Sequence, residues 1–126
     1  MKITRVLHAS VNAAEVLDAT AAFYRDFLGL SACVRPDIPG VPGHWFAVGD
    51  VEVHLVGRPA AAVPIDPSRH HVCFGVADLD DATTALEAAR VDYIRGEQRH
   101  PGRVVRQVFF TDPAGNTVEL QEDSGE

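Results

Sequence analysis

Apolar and polar side chains alternate along most of this chain, and twice the alternation gives way to helical spacing. From Ile3 to Val11, Leu7, Ala9 and Val11 fall on one side and His8 and Ser10 on the other, which predicts a strand. Asn12-Ala13-Ala14-Glu15 resembles a capping box. It predicts a helix over Val16 to Leu28, with Val16, Thr20, Phe23 and Phe27 as its apolar stripe and Gly29 as its stop. Ala32 to Arg35 reads as a short strand, and Pro36 to Gly43 as a loop rich in breakers. Trp45–Val48 and Val51–Val56 read as a hairpin about Gly49-Asp50.

After a Pro- and Ala-rich stretch the order begins again. His71 to Val76 alternates as a strand. Asp78 opens a helix that runs to about Arg90, with Asp81 in its first turn. Asp92 to Arg95 reads as a short strand, Gly96 to Gly102 as a polar loop, and Val104 to Phe110 as a strand. Asp112-Pro113 and Gly115-Asn116 make strong turn chemistry before a last strand, Thr117 to Gln121.

Strand, helix and three strands therefore occur twice. His8 and His71 lie 63 positions apart, as do Asp18-Ala19-Thr20 and Asp81-Ala82-Thr83. Val53-His54-Leu55 and Val118-Glu119-Leu120 lie 65 apart. Two like modules follow: one spans residues 1–57, a linker 58–68, and the second 69–122, within a single domain. The fold class expected is α+β, two βαβββ modules forming one curled mixed sheet with helices outside.

Composition changes this picture little. The 126 residues carry a net charge of -7, and no basic stripe suits nucleic acid. No apolar run reaches membrane length. Cys33 and Cys73 make no disulfide framework and read as small buried hydrophobes, so a reducing cytoplasm is the default expectation.

Parity then gathers the chemistry. His8 with Ser10, Glu52 with His54, His71 with Cys73, and Glu119 with Thr117 and Gln121 each oppose an apolar face. If the sheet curls, these polar faces meet in a cup. His8, His54, His71 and Glu119 then form a pseudo-symmetric set of three imidazoles and one carboxylate, a sound donor set for a borderline divalent metal. Parity sets His70 with Val72 and Phe74, while His44 and His100 read as rim or solvent-facing residues.

With His8, the runs Phe23-Tyr24-Arg25-Asp26-Phe27-Leu28-Gly29-Leu30 and Gly49-Asp50-Val51-Glu52-Val53-His54-Leu55, His71, and Asp112-Pro113-Ala114-Gly115-Asn116-Thr117-Val118-Glu119-Leu120 in place, the chain resembles the vicinal-oxygen-chelate superfamily. That superfamily includes glyoxalases, fosfomycin-resistance proteins, extradiol dioxygenases, methylmalonyl-CoA epimerases and bleomycin-binding proteins. The resemblance implies one divalent ion (Zn, Ni, Co, Mn or Fe) held by His8, His71 and Glu119, with His54 at a variable fourth position. Glyoxalase I has Glu there and the epimerase Gln. His54 thus keeps a ligand but removes a carboxylate, leaving Glu119 as ligand and catalytic base, with Glu52 a weaker candidate.

His8, His71 and Glu119 also resemble the facial triad of iron oxygenases, though a fourth imidazole would fill a position that chemistry needs open. A complete ligand set argues against a bleomycin-type binder. The implied function is a glyoxalase-like lyase or isomerase acting on a small substrate with vicinal oxygens. The alternatives are a ring-cleaving dioxygenase, a thiol transferase, or a binding protein that sequesters a drug or metabolite. Arg35, Trp45, Arg103 and Arg106 are the substrate-binding candidates. The loops Pro36–Gly43 and Gln98–Arg103 are candidate lids. A homodimer, with no nucleic-acid or membrane partner, is expected.

Overall fold

Among the described residues, eight strands and two α-helices fall into two successive runs of the same order. They are β1 (Ile3–Asn12), α1 (Leu17–Ala22), β2 (Ser31–Cys33), β3 (Gly43–Val48) and β4 (Val51–Val56), then β5 (His71–Val76), α2 (Leu79–Ala88), β6 (Tyr93–His100), β7 (Arg103–Thr111) and β8 (Thr117–Glu122). The computed structural model describes residues 1–59, 63–113 and 115–123. Part of the expected linker, residues 60–62, and Ala114 of the last turn lie outside the described residues.

The strands form one curled mixed sheet in the order β2-β3-β4-β1-β5-β8-β7-β6. β1 runs parallel to β4, and β5 parallel to β8. The two modules join through the antiparallel β1–β5 pair at the centre. In each module the helix carries the chain to an edge strand, β2 or β6, and the next two strands step back inward until β4 or β8 lies parallel beside the first strand.

Both helices cover the outer face. Leu79, Ala82, Thr83 and Leu86 are the buried stripe of α2, packed with Val76, Val108 and Leu120. Asp78 caps that helix, its Oδ1 accepting from the N–H groups of Asp80 and Asp81 at 2.8 and 3.1 Å.

The first helix departs from its expected form. It starts at Leu17 with no side-chain cap, because Asn12 Oδ1 instead accepts from Ala14 N–H in a local turn. Past Ala22 it widens into a π-helical segment, Phe23–Phe27. Its buried face is Leu17, Ala21 and Tyr24, packed against Phe46 and Leu55. The stripe expected inside is largely outside: Val16 is 62%, Phe23 50% and Phe27 76% exposed. Close approach decides the choice. Small Ala21 lets the helix sit down on β4, and Gly57 leaves room for Leu17, whose Cδ2 would lie 2.7 Å from a Cβ there.

The second departure is β6, which continues through the residues expected to form a polar loop. Eight consecutive pairs from Tyr93↔Phe110 to His100↔Arg103 zip it to β7. Only Pro101-Gly102 turns, with Gly102 at φ +78°. Most of the expected second lid is thus strand.

Candidate functional site

The register stacks the polar residues in two rungs across the inner face of the sheet. In one, Glu52, His8, Cys73, Glu119 and Phe109 stand opposite one another in succession on β4, β1, β5, β8 and β7. In the next, Trp45, His54, Ser10, His71 and Thr117 do the same from β3 to β8. Side chains of one strand face repeat every second residue, so both rungs turn the same way.

Three of the expected ligands converge. His71 Nε2 lies 2.9 Å from Glu119 Oε1, His8 Nε2 lies 3.2 Å from the same oxygen, and the two Nε2 atoms are 3.4 Å apart. Ligands held at about 2.1 Å by one tetrahedral or octahedral metal ion stand roughly 3.0–3.4 Å apart. His71 Nδ1 lies 2.7 Å from the Arg69 carbonyl, which can only accept, so Nδ1 carries the proton. His71 Nε2 and the carboxylate oxygen it faces can then share either a proton, as a hydrogen bond, or a cation. A divalent ion fits this donor set, and His71 is already oriented for it by its carbonyl partner.

Glu119 is 1% exposed. Burial alone would raise its pKa, but hydrogen bonds with His71 and His8 outweigh that and hold it well below the usual carboxylate range. Its second oxygen, Oε2, accepts from Gln121 Nε2 at 2.8 Å and Gln107 Nε2 at 3.2 Å. The Cys73 Sγ, with ligand atoms of His8 and Glu119, completes a group whose members all lie within 4.8 Å of one another. Burial first, then the Glu119 charge, pushes that thiol far up.

His54 adjoins this centre but turns its Nε2 elsewhere, to Glu52 Oε1 at 2.9 Å. Its ring is sandwiched between Trp45, at 3.8 Å and 2°, and His8, at 3.9 Å and 22°. Burial lowers its pKa to about 4, so a neutral imidazole donates to an ionised Glu52, whose own pKa falls chiefly through that bond.

The sandwich of Trp45, His54 and His8 separates two compartments of the cup, of about 400 and 390 Å³. The first holds His71 and Glu119, with Ile38, Val41, Val56 and Phe109 as its apolar wall. The second is polar, with Glu52, Gln98, His100 and Arg103.

Three of the four remaining expected residues line these compartments. Arg35 lines the first compartment. Its Nη2 donates to the Val41 carbonyl at 2.6 Å, while its buried Nε has no hydrogen-bond partner among the described residues. Burial lowers its pKa. Trp45 lines both compartments and Arg103 the second. Arg106 joins neither: it pairs with Asp80 of α2 at 3.1 Å and with Glu122 at 3.7 Å. On β7 it shares the face of Val108 and Phe110, which pack under α2. Gln107, Gln121 and His100 were missed as site residues. Their parity with Glu119 and Arg103 was the available signal.

Comparison with known proteins agrees with this architecture. Residues 5–120 match the family model described as the Glyoxalase/Bleomycin resistance protein/Dioxygenase superfamily. A glyoxylase I 4 of Arabidopsis thaliana is 28% identical over 125 residues, covering 95% of this chain and 71% of that protein. A methylmalonyl-CoA epimerase of Streptomyces coelicolor superposes with a TM-score of 0.71 at 21% identity, over 98% of this chain and 99% of its own. The epimerase of Mycobacterium tuberculosis does so at 0.72 and 22%, over 97% and 89%. Among the described residues no helix is long and apolar enough to cross a membrane.

Proposed function

The chain belongs to the glyoxalase/bleomycin resistance protein/dioxygenase superfamily, and from that premise we propose that it is a metal-dependent lyase or isomerase acting on a small substrate with two neighbouring oxygens. The convergence of His8 Nε2, His71 Nε2 and Glu119 Oε1 within 3.4 Å carries this reading. A glyoxalase-type relative and epimerase-type structures support the reaction class. When bound, a divalent ion supplies Lewis acidity to the substrate oxygens, so that a proton next to a carbonyl can be moved near neutral pH.

The chain's own groups do the rest. His8, His71 and Glu119 would hold the ion. Glu119 was expected to serve as base too; it is only 1% exposed and both its oxygens already have partners, so the role we give it is holding the ion. Glu52 suits the proton-moving role better: its side chain is 40% exposed, it faces a compartment, and His54 Nε2 orients it. His8, a proposed ligand, lines both compartments, so the reacting end is open to Glu52 from the polar side, with Trp45 and His54 beside it. Arg35, a half-buried cation with an unpaired Nε, suits an acidic group on the substrate.

One observation favours a second reading. With His54 Nε2 bonded to Glu52, three protein ligands remain, which is the two-histidine, one-carboxylate pattern of iron oxygenases. The experiment is metal analysis of the native protein, with Glu119→Gln alongside. Zinc, nickel or cobalt lost with that substitution, together with turnover, supports the lyase. Iron with oxygen consumption supports the dioxygenase. A protein that takes up no divalent ion and gains no melting temperature from one is a binding module instead.

A further inference from the structure

The two oxygens of Glu119 have different partners, and only one set faces the candidate metal centre. Oε1 meets His8 and His71. Oε2 meets two carboxamides, Gln107 Nε2 at 3.2 Å and Gln121 Nε2 at 2.8 Å. A carboxylate only accepts, so each amide presents its nitrogen. The glutamines stand directly opposite each other on β7 and β8. Gln107 is buried, and a buried amide is costly unless paired. Behind it, Gly96 of β6 leaves the space its amide oxygen needs: a Cβ there would lie 2.9 Å from Gln107 Oε1 and 3.1 Å from Phe109 Cε2.

We infer that Gln107 and Gln121 form a clamp that makes Glu119 a fixed, one-oxygen ligand, with Gly96 keeping Gln107 in place. The inference rests on the metal-site reading above. Two neutral N–H donors favour the anion without neutralising it. Two donors on Oε2 also match the two lone pairs that oxygen offers. Glu119 therefore neither rotates to offer two oxygens nor swings out to take a proton. The glutamines are positioning residues, since they touch the ligand and not the reacting atoms. Such outer partners tune metal affinity about 10- to 100-fold.

The test is a metal titration of the metal-free protein with Zn²⁺ against a competing chelator. Fluorescence of Trp45 reports it, because this is the chain's single tryptophan and its ring stacks on His54 beside His8. Gln107→Leu and Gln121→Leu should each weaken binding about 10- to 100-fold, with the metal-free melting temperature little changed. Gly96→Ala removes no donor; its Cβ displaces the flexible end of Gln107 and nudges the Phe109 ring by a few tenths of an ångström, so it should weaken binding in a folded protein. Bound Co²⁺ should also change its visible spectrum in each variant, as Glu119 shifts toward two-oxygen ligation.

If wild type and all three variants bind alike, the clamp is refuted and the metal site stands. If the folded wild type binds no divalent ion, the metal reading falls and takes the clamp with it. Should the leucine variants fail to fold, Gly96→Ala decides: lost affinity supports the clamp and unchanged affinity overturns it.

Discussion

Glu52 and Glu119 sit in the same rung, separated by His8 and Cys73, yet their surroundings assign them different work. Glu119 is sealed under imidazoles and amides, whereas Glu52 opens to the polar compartment and holds one histidine. Glu52→Gln should therefore lower kcat about 10²- to 10⁴-fold while leaving Zn²⁺ affinity within a few-fold of wild type. Steady-state kinetics beside the same fluorescence titration separates the two effects. Much of this was legible from alternation alone, since parity collected His8, His54, His71 and Glu119 on one face before any coordinates. The direction of His54 Nε2 was not legible, because rotamer and partner depend on Trp45 from another strand. Arg103 and Arg106 differ in parity, so the same rule applied to β7 separates them. The pair was grouped by charge instead, and only Arg103 lines the cup.

At the scale of elements, α2 was legible because its cap and its stripe agree, whereas α1 offers two competing stripes. Leu17, Ala21 and Tyr24 are spaced as well as Val16, Thr20, Phe23 and Phe27, and the larger side chains lost. What decided was long-range fit against Phe46 and Gly57, which spacing does not encode. β6 escaped because its inward face carries Gly96, Gln98 and His100, so no apolar alternation marks it. The losing stripe remains a consequence to test. Phe23 and Phe27 stack on each other, 5.0 Å between centroids, on an open surface. Exposed apolar clusters of this kind mark contact sites. If the expected homodimer closes on this face, Phe27→Asp should give monomers by sedimentation velocity, with stability changed by no more than about 0.5 kcal/mol. Phe46→Ala, under the same helix, should cost about 3–5 kcal/mol in urea denaturation.

For the whole molecule, the two modules meet along one strand pair, β1 with β5, and the candidate metal centre straddles that seam. His8 comes from the first module, and His71 and Glu119 from the second. An ion held by all three would tie β1 to β5 and β8, adding to the hydrogen bonds and packing already along the seam. Its binding energy is then folding energy, since the three donors lie within 3.4 Å only in the folded chain. At a free-ion concentration a hundredfold above Kd the gain is about 2.7 kcal/mol. For a chain of this size that corresponds to roughly 10 °C in Tm. Chelation should reverse the gain, measured by calorimetry. His71→Ala should abolish the response to added metal, because it removes a donor from the second module and leaves one from each side. His54→Ala should keep most of it, because His54 Nε2 is given to Glu52. An equal loss in both variants would mean that His54 turns inward when the ion arrives and that the centre takes four protein ligands.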